Sequence, residues 1–213
     1  MGTQRFAKNK GKLLVVAVDS SRLARRSIFL AAWLMNPLDR DKVQLVSVAK
    51  EGESIADGER LIKEGNDLLK MLGVRPIFIL PGRVVRVEEG DSIAITLGKA
   101  AKGGHLVIGA AGKRVEGEDS KKKGQLSGAA LGSTAVEALG RCKAPVILVK
   151  PKGTPEIDRT EGLEARMAGK ASMSVVVCVD GSHLSQKAFD MAMRFVKTGD
   201  VVRLTRALWP PIP

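Results

Sequence analysis

The chain begins the same folding unit twice. Residues 13–35 read LLVVAVDSSRLARRSIFLAAWLM and residues 174–196 read SVVVCVDGSHLSQKAFDMAMRFV, aligned without a gap at an offset of 161. Val15, Val16, Val18, Asp19, Ser21, Leu23 and Ala31 recur as Val176, Val177, Val179, Asp180, Ser182, Leu184 and Ala192. Each copy is an apolar run of strand length, an aspartate, a serine-bearing turn and a helical pattern. The match continues from DKVQLVSV (41–48) to DVVRLTRA (200–207) once the turn between is shortened by two residues. Duplicated strand–turn–helix units imply an α/β architecture, and 213 residues leave room for only the first copy to be a complete domain.

The rest of the first copy keeps the alternation. Residues 13–18 are apolar throughout, as expected of a parallel strand covered on both faces. Leu23, Ile28, Leu30, Ala31 and Leu34 form a helical stripe across 21–35, which Asn36-Pro37 stops. A strand over 43–48 and a helix over 55–72 follow. Residues 74–80 are apolar and β-rich, but Pro76 and Pro81 leave their role open. A third strand (84–87) leads through the turn and cap Gly90-Asp91-Ser92 to a helix over 93–102. A fourth strand (106–108) ends at Gly109. A helix (133–141) and a fifth strand (144–149) complete the pattern. This order predicts an open, doubly wound, five-stranded parallel sheet of order 3-2-1-4-5 over residues 12–150. Residues 151–172 are polar with little periodicity and read as a linker. Residues 173–213 hold the partial second copy: a strand (174–179), a helix (185–196) and a strand (201–208).

Composition narrows the function classes. A net charge of +12 and a pI near 10.0 suit an anionic partner, with general solubility as the competing explanation. Aromatic residues are only 3% and tyrosine is absent, which disfavours a single-stranded nucleic-acid platform built on base stacking; nucleic acid is not expected as a partner. Cys142 and Cys178 have no metal-binding or disulfide spacing, and Cys178, inside an apolar strand, reads as a small core residue. The run LLVVAV reaches Asp19 after six residues, too short for a signal core or a membrane span, so no membrane and a cytoplasmic setting are expected. His105 and His183 have no nucleophile or metal partner in the pattern and are expected at the surface. Met191 and Met193 are expected to pack their helix. No phosphate-loop motif and no Ser–His–Asp pattern occur, and an enzyme is not expected.

In an open parallel sheet, ligands sit beyond the carboxyl ends of the strands where the connections switch sides, here between strands one and four. Strand one ends at Asp19-Ser20-Ser21. Strand four ends at Gly109-Ala-Ala-Gly112-Lys113-Arg114, and Gly132-Ser133-Thr134 opens the next helix. Gly109 and Gly112 let backbone N–H groups approach a phosphate closely. Gly132 and Ser133 are expected to present free N–H groups and a hydroxyl at a helix N-terminus, where the dipole favours an anion. Asp19 can accept from an adenine amino group or a ribose hydroxyl. Together these describe a nucleotide site, an acceptor at one end and an N–H cradle at the other. The plain alternatives stand beside this: Asp19, Ser20 and Ser21 as a helix cap, Ser133 as an N-cap, the glycines as turns.

These residues carry a resemblance. HLVIGAAGKR (105–114), GQLSGAALGSTAVEALGRCKAPVILVKP (124–151) and GRVVRVEEGDSIAITLGKAA (82–101) resemble the universal stress protein family, small α/β proteins of which many bind ATP. The resemblance covers about 12–150 as one domain and 173–208 as the start of another, a tandem arrangement with a truncated second domain. It implies the motif G-x2-G-x9-G-[S/T], met by Gly109, Gly112, Gly132 and Ser133. It also implies that Asp19 contacts the nucleoside and that Val48 offers backbone to adenine. The expected cofactor is ATP, with or without magnesium, and the expected role is stress-associated regulation. The resemblance further implies a homodimer through the fifth strand. One departure stands out: nineteen residues (113–131) lie between the glycine pairs where the family has nine. A nucleotide-independent scaffold of the same fold is the main alternative, followed by a charge-driven nucleic-acid binder and a nucleotide-dependent ligase or transferase.

Overall fold

The computed structural model describes residues 11–110, 131–150, 165–166 and 170–206. The chain forms two compact units, Met1–Thr160 and Glu161–Pro213, divided within the polar stretch 151–172.

The first unit runs β1 (Leu13–Ala17), α1 (Arg22–Leu34), β2 (Lys42–Ala49), α2 (Ile55–Met71), β3 (Arg83–Arg86), α3 (Ile93–Ala100), β4 (His105–Gly109), α4 (Ser133–Arg141) and β5 (Val146–Val149). The strands form one parallel sheet of order β3-β2-β1-β4-β5. β1 takes the centre because its residues are apolar on both faces: Leu14, Val15 and Val16 are fully buried. Val15, Val46, Leu106 and Ile108 pack with Ala94 and Leu97 of α3 and Ala138 of α4. Residues 74–80 resolve into a 3₁₀ turn over Pro76–Phe78, followed by a parallel bridge from Ile79 to Val43. Pro76 suits the first position of that turn, where its missing N–H costs nothing. Gly104 enters β4 against the β1 backbone, where a Cβ would lie 2.7 Å from the Leu13 carbonyl oxygen. No helix among the described residues is long and apolar enough to cross a membrane.

The second unit pairs β6 (Ser174–Val179) and β7 (Val201–Arg206) in parallel, with α5 (His183–Met193) packed on β6. Three expectations are corrected. Cys178 is exposed, because strand alternation turns it away from Val177, which is buried, and no second layer covers that face among the described residues. Met193 is 42% exposed. His105 is buried, because it opens β4, an interior strand paired with β1.

A buried carboxylate fastens each copy at the entry to its second strand. Asp41 accepts the N–H of Lys12 (2.7 Å), just before β1, and that of Asn36 (2.8 Å), just after α1. The Lys12 ammonium lies 2.9 Å from Oδ2, the oxygen that also accepts from Asn36. Asp200, the matching residue, accepts the N–H of Met173 (2.8 Å) before β6 and that of Lys197 (2.7 Å) after α5. Its cation comes from elsewhere: Arg166, within the stretch read as linker, forks onto both Asp200 oxygens and is itself buried. One carboxylate thereby ties a strand start and a helix end together at the point where the next strand begins its ladder with the first.

Candidate functional site

The strand register brings the expected site residues to one edge of the sheet. Ala17 pairs with Val46, and Val16 with Val107. Beyond the last pairs, two residues on from Ala17 bring Asp19 level with Val48, and three on from Val16 bring it level with Ala110. The β1–β2 pairing stops before Val48, while Val48 still pairs with Val85 of β3. Val48 therefore has no paired strand on its β1 side.

Asp19 is exposed, and its Oδ1 accepts the Ser21 N–H at 2.9 Å. Ser21 is the N-cap of α1, its Oγ accepting the Ala24 N–H at 3.1 Å. The capping reading is thus partly right: Ser21 caps, Asp19 fixes the turn that presents Ser21, and Ser20 is exposed. The second copy repeats the device. Asp180 accepts the Ser182 N–H at 2.8 Å, and Ser182 caps α5 through the Ser185 N–H at 3.1 Å. Hydrogen bonds from the Ser182 side chain and backbone and from the Ser185 side chain hold the exposed Asp180 carboxyl at about 2.

The far side of the crevice is built by β4 and α4. Gly109 closes β4 in register with Val149. The Ala110 N–H donates to the Val149 carbonyl (2.8 Å), and the Ala110 carbonyl accepts the Gly132 N–H (2.8 Å). This corrects two expectations. The Gly132 N–H is occupied, because it ties α4 to the end of β4. The N-cap is Gly132 and not Ser133, which is the first helical residue, followed by Thr134. Among the described residues, α1, α2, α3 and α5 are each capped by a serine hydroxyl, from Ser21, Ser54, Ser92 and Ser182. Only α4 opens on a residue with no side chain to give. Its first-turn amides thus receive no intrinsic cap, and they stand just beyond β4 at the sheet's switch point. Gly112, Lys113 and Arg114 lie outside the described residues.

A neighbouring open depression was not foreseen. It lies at the carboxyl ends of β2 and β3, lined by Lys50, Arg86, Glu88, Asp91 and Ser92. Lys99 bridges Glu88 and Asp91 at 2.6 Å each, and those hydrogen bonds raise its pKa. Its lining mixes both signs of charge from separate segments, so no composition signal marked it.

No protein-family model matches this chain, and no curated protein does. The solved structures similar to it include universal stress proteins. One, in complex with cAMP, is 20% identical, covers 66% of this chain and 98% of its own, and gives a TM-score of 0.47. Another, from Archaeoglobus fulgidus, is 20% identical over 65% of this chain and 93% of its own, with a TM-score of 0.45. A third, from Burkholderia pseudomallei, is 18% identical over 67% and 97%, with a TM-score of 0.43. Similarity to universal stress proteins thus spans about two thirds of the chain.

Proposed function

We propose that the first unit is a regulatory binder of an adenine nucleotide of the ATP class, held between the carboxyl ends of β1 and β4. The observation that carries this reading is the glycine-capped start of α4, fastened to the end of β4 by the Gly132–Ala110 hydrogen bond. First-turn amides without an intrinsic cap suit a phosphate, which accepts from several N–H groups and is favoured by the helix dipole. Asp19, exposed and one row across the sheet, supplies an acceptor suited to a ribose hydroxyl or adenine amino group. Val48 offers its unpaired backbone edge to the base. Gly109, Gly112, Lys113, Arg114, Ser133 and Thr134 complete the proposed cradle. Binding, not turnover, is the function in this reading. A stress-related role, magnesium with the ATP, a cytoplasmic setting and dimerisation through β5 belong to the same proposal.

The test is calorimetric titration of the whole chain with ATP and magnesium, with ADP and cAMP as further probes. One site per chain is expected. Gly132→Val is expected to abolish binding with the circular dichroism unchanged, because φ −63° and ψ 152° at this position admit valine. Asp19→Ala is expected to lower selectivity for adenine more than affinity for phosphate. No binding by the wild type, or unchanged affinity in Gly132→Val, refutes the site and leaves the scaffold reading in its place.

A further inference from the structure

The two ends of the first unit's sheet carry opposite charge. At the amino ends, the segments that lead into β2, β3, β4 and β5 are residues 36–42, 72–82, 101–104 and 142–145. They hold Arg40, Lys42, Arg75, Lys102 and Lys143, all exposed, against Asp39 and Asp41. Asp41 is engaged in the buried clamp, and Asp39 accepts from the Asn36 side-chain amide at 2.7 Å. The described turns at the carboxyl ends, residues 18–21, 50–54 and 87–92, hold six carboxylates against Lys50. Solubility is served by any distribution of charge, whereas an anionic surface met end-on is served by this one.

The basic end also exposes the most apolar side chains. Leu38, Ile77 and Met71 are 90%, 73% and 69% exposed, the three highest values among the large hydrophobic residues described in the first unit. Leu38 and Ile77 follow one design. Each is the middle residue of a 3₁₀ turn opened by proline, Pro37–Asp39 and Pro76–Phe78, and the two turns enter neighbouring strands. The Ile79–Val43 bridge and the Leu80 N–H bond to the Val43 carbonyl (2.8 Å) hold those entries side by side. Met71 closes α2, just before the second turn. A cation stands at each turn. Arg75 lies over the Phe78 ring, 5.3 Å from its centre. Arg40 has φ 60°, the one non-glycine residue in the left-handed region among those described, where glycine or asparagine would sit with less strain.

We propose that this end of the first unit docks on an anionic lipid surface, with Leu38 and Ile77 entering the acyl boundary and Arg40 and Arg75 meeting the headgroups. Aliphatic side chains ringed by Arg and Lys gain from both parts of such an interface, apolar burial and attraction to anionic lipid. A protein partner is matched less well. A side chain 90% exposed is a projection, and leucine is under-represented among the residues that anchor protein interfaces. A nucleic acid would use the cations and leave the aliphatic tips in water. Surface docking needs no spanning helix, so the proposal departs from the expectation of no membrane at the surface alone. The crevice between β1 and β4 lies at the opposite ends of the strands and faces away from the lipid.

Sedimentation of the full chain with phosphatidylcholine vesicles, with and without phosphatidylglycerol, is the test. Binding is expected to the anionic vesicles alone and to weaken as salt is raised. Leu38→Ser combined with Ile77→Ser is expected to lower the affinity at least tenfold, with circular dichroism unchanged because both side chains are mostly exposed. Arg40→Asn suits the left-handed turn, removes the charge and should lower the affinity about fivefold. Leu184→Ser, at a position 74% exposed in the second unit, is the control and should change nothing. No binding to anionic vesicles, equal binding to neutral ones, or an equal loss in the Leu184 control overturns the proposal. A double variant that keeps the wild-type affinity overturns it as well, and binding of duplex DNA by that variant would assign the face to a nucleic acid.

Discussion

Replacing Asp41 with alanine tests whether one buried carboxylate holds the first unit's opening elements together. Its side chain is fully buried, and it accepts two backbone N–H groups and an ammonium at 2.7 to 2.9 Å. Removal strands the N–H groups of Lys12 and Asn36, each costing about 1–3 kcal/mol if left without an acceptor. It also breaks a buried ion pair, for which losing one partner costs about 3–5 kcal/mol. These costs overlap, because water entering the vacated space restores some of the bonds, so a total of about 3–5 kcal/mol is expected. That is a large share of a typical domain stability of about 5–15 kcal/mol. Trp33, in the last turn of α1 near Asn36, reports on the clamp once Trp209, the second of two tryptophans, is replaced by phenylalanine. Urea unfolding followed by Trp33 fluorescence should move to much lower denaturant in Asp41→Ala. Glu64→Ala is the control: its carboxylate also accepts a charge-assisted hydrogen bond, from Arg60, but both side chains are 60% exposed. That variant should lose no more than about 0.5 kcal/mol. An Asp41→Ala loss within the range of the Glu64→Ala control would refute the clamp.

Other outcomes follow from the same geometry. Burial raises the Asp200 carboxyl, but bonds from Arg166, Lys197 and Met173 outweigh it and lower its pKa from 3.8 to about 2. A depressed carboxylate stabilises the folded state above its unfolded pKa and loses that contribution as pH falls through the folded one. The second unit should therefore lose about 2 kcal/mol between roughly pH 4 and pH 2, read as faster amide exchange in β6 and β7. Asp200→Asn should remove most of that acid dependence; a variant that keeps it would exclude Asp200 as the source. Two glycine substitutions should differ in sign. Gly104→Ala presses a Cβ against the Leu13 carbonyl, which the sheet holds in place, and should cost about 1–3 kcal/mol. Gly140→Ala meets no atom within 4 Å inside α4 and should stabilise by up to about 1 kcal/mol. Thermal unfolding distinguishes them, and a shift in the same direction for both would contradict the packing described.

The sequence by itself determined the sheet. An apolar run covered on both faces is stable only inside a parallel sheet, and helical stripes between such runs compel crossovers. Strand order and the α4 boundaries were therefore legible from residue pattern alone. The turn at Asp19 was legible as well, because an aspartate two residues before a serine cap is a local device and appears twice. Tertiary structure decided matters that depend on distant partners. Nothing in the pattern around Asp41 or Asp200 shows that they are buried acceptors, since each takes one of its backbone N–H groups from 29 or 27 residues away. Arg166 reads as linker because the carboxylate it forks onto, Asp200, lies 34 residues on. Gly132 reads as an open cradle until the Ala110 carbonyl claims its N–H. Cys178 reads as core because periodicity records which side of a strand is apolar. It does not record whether another layer arrives to cover that side, and burial depends on the arrival.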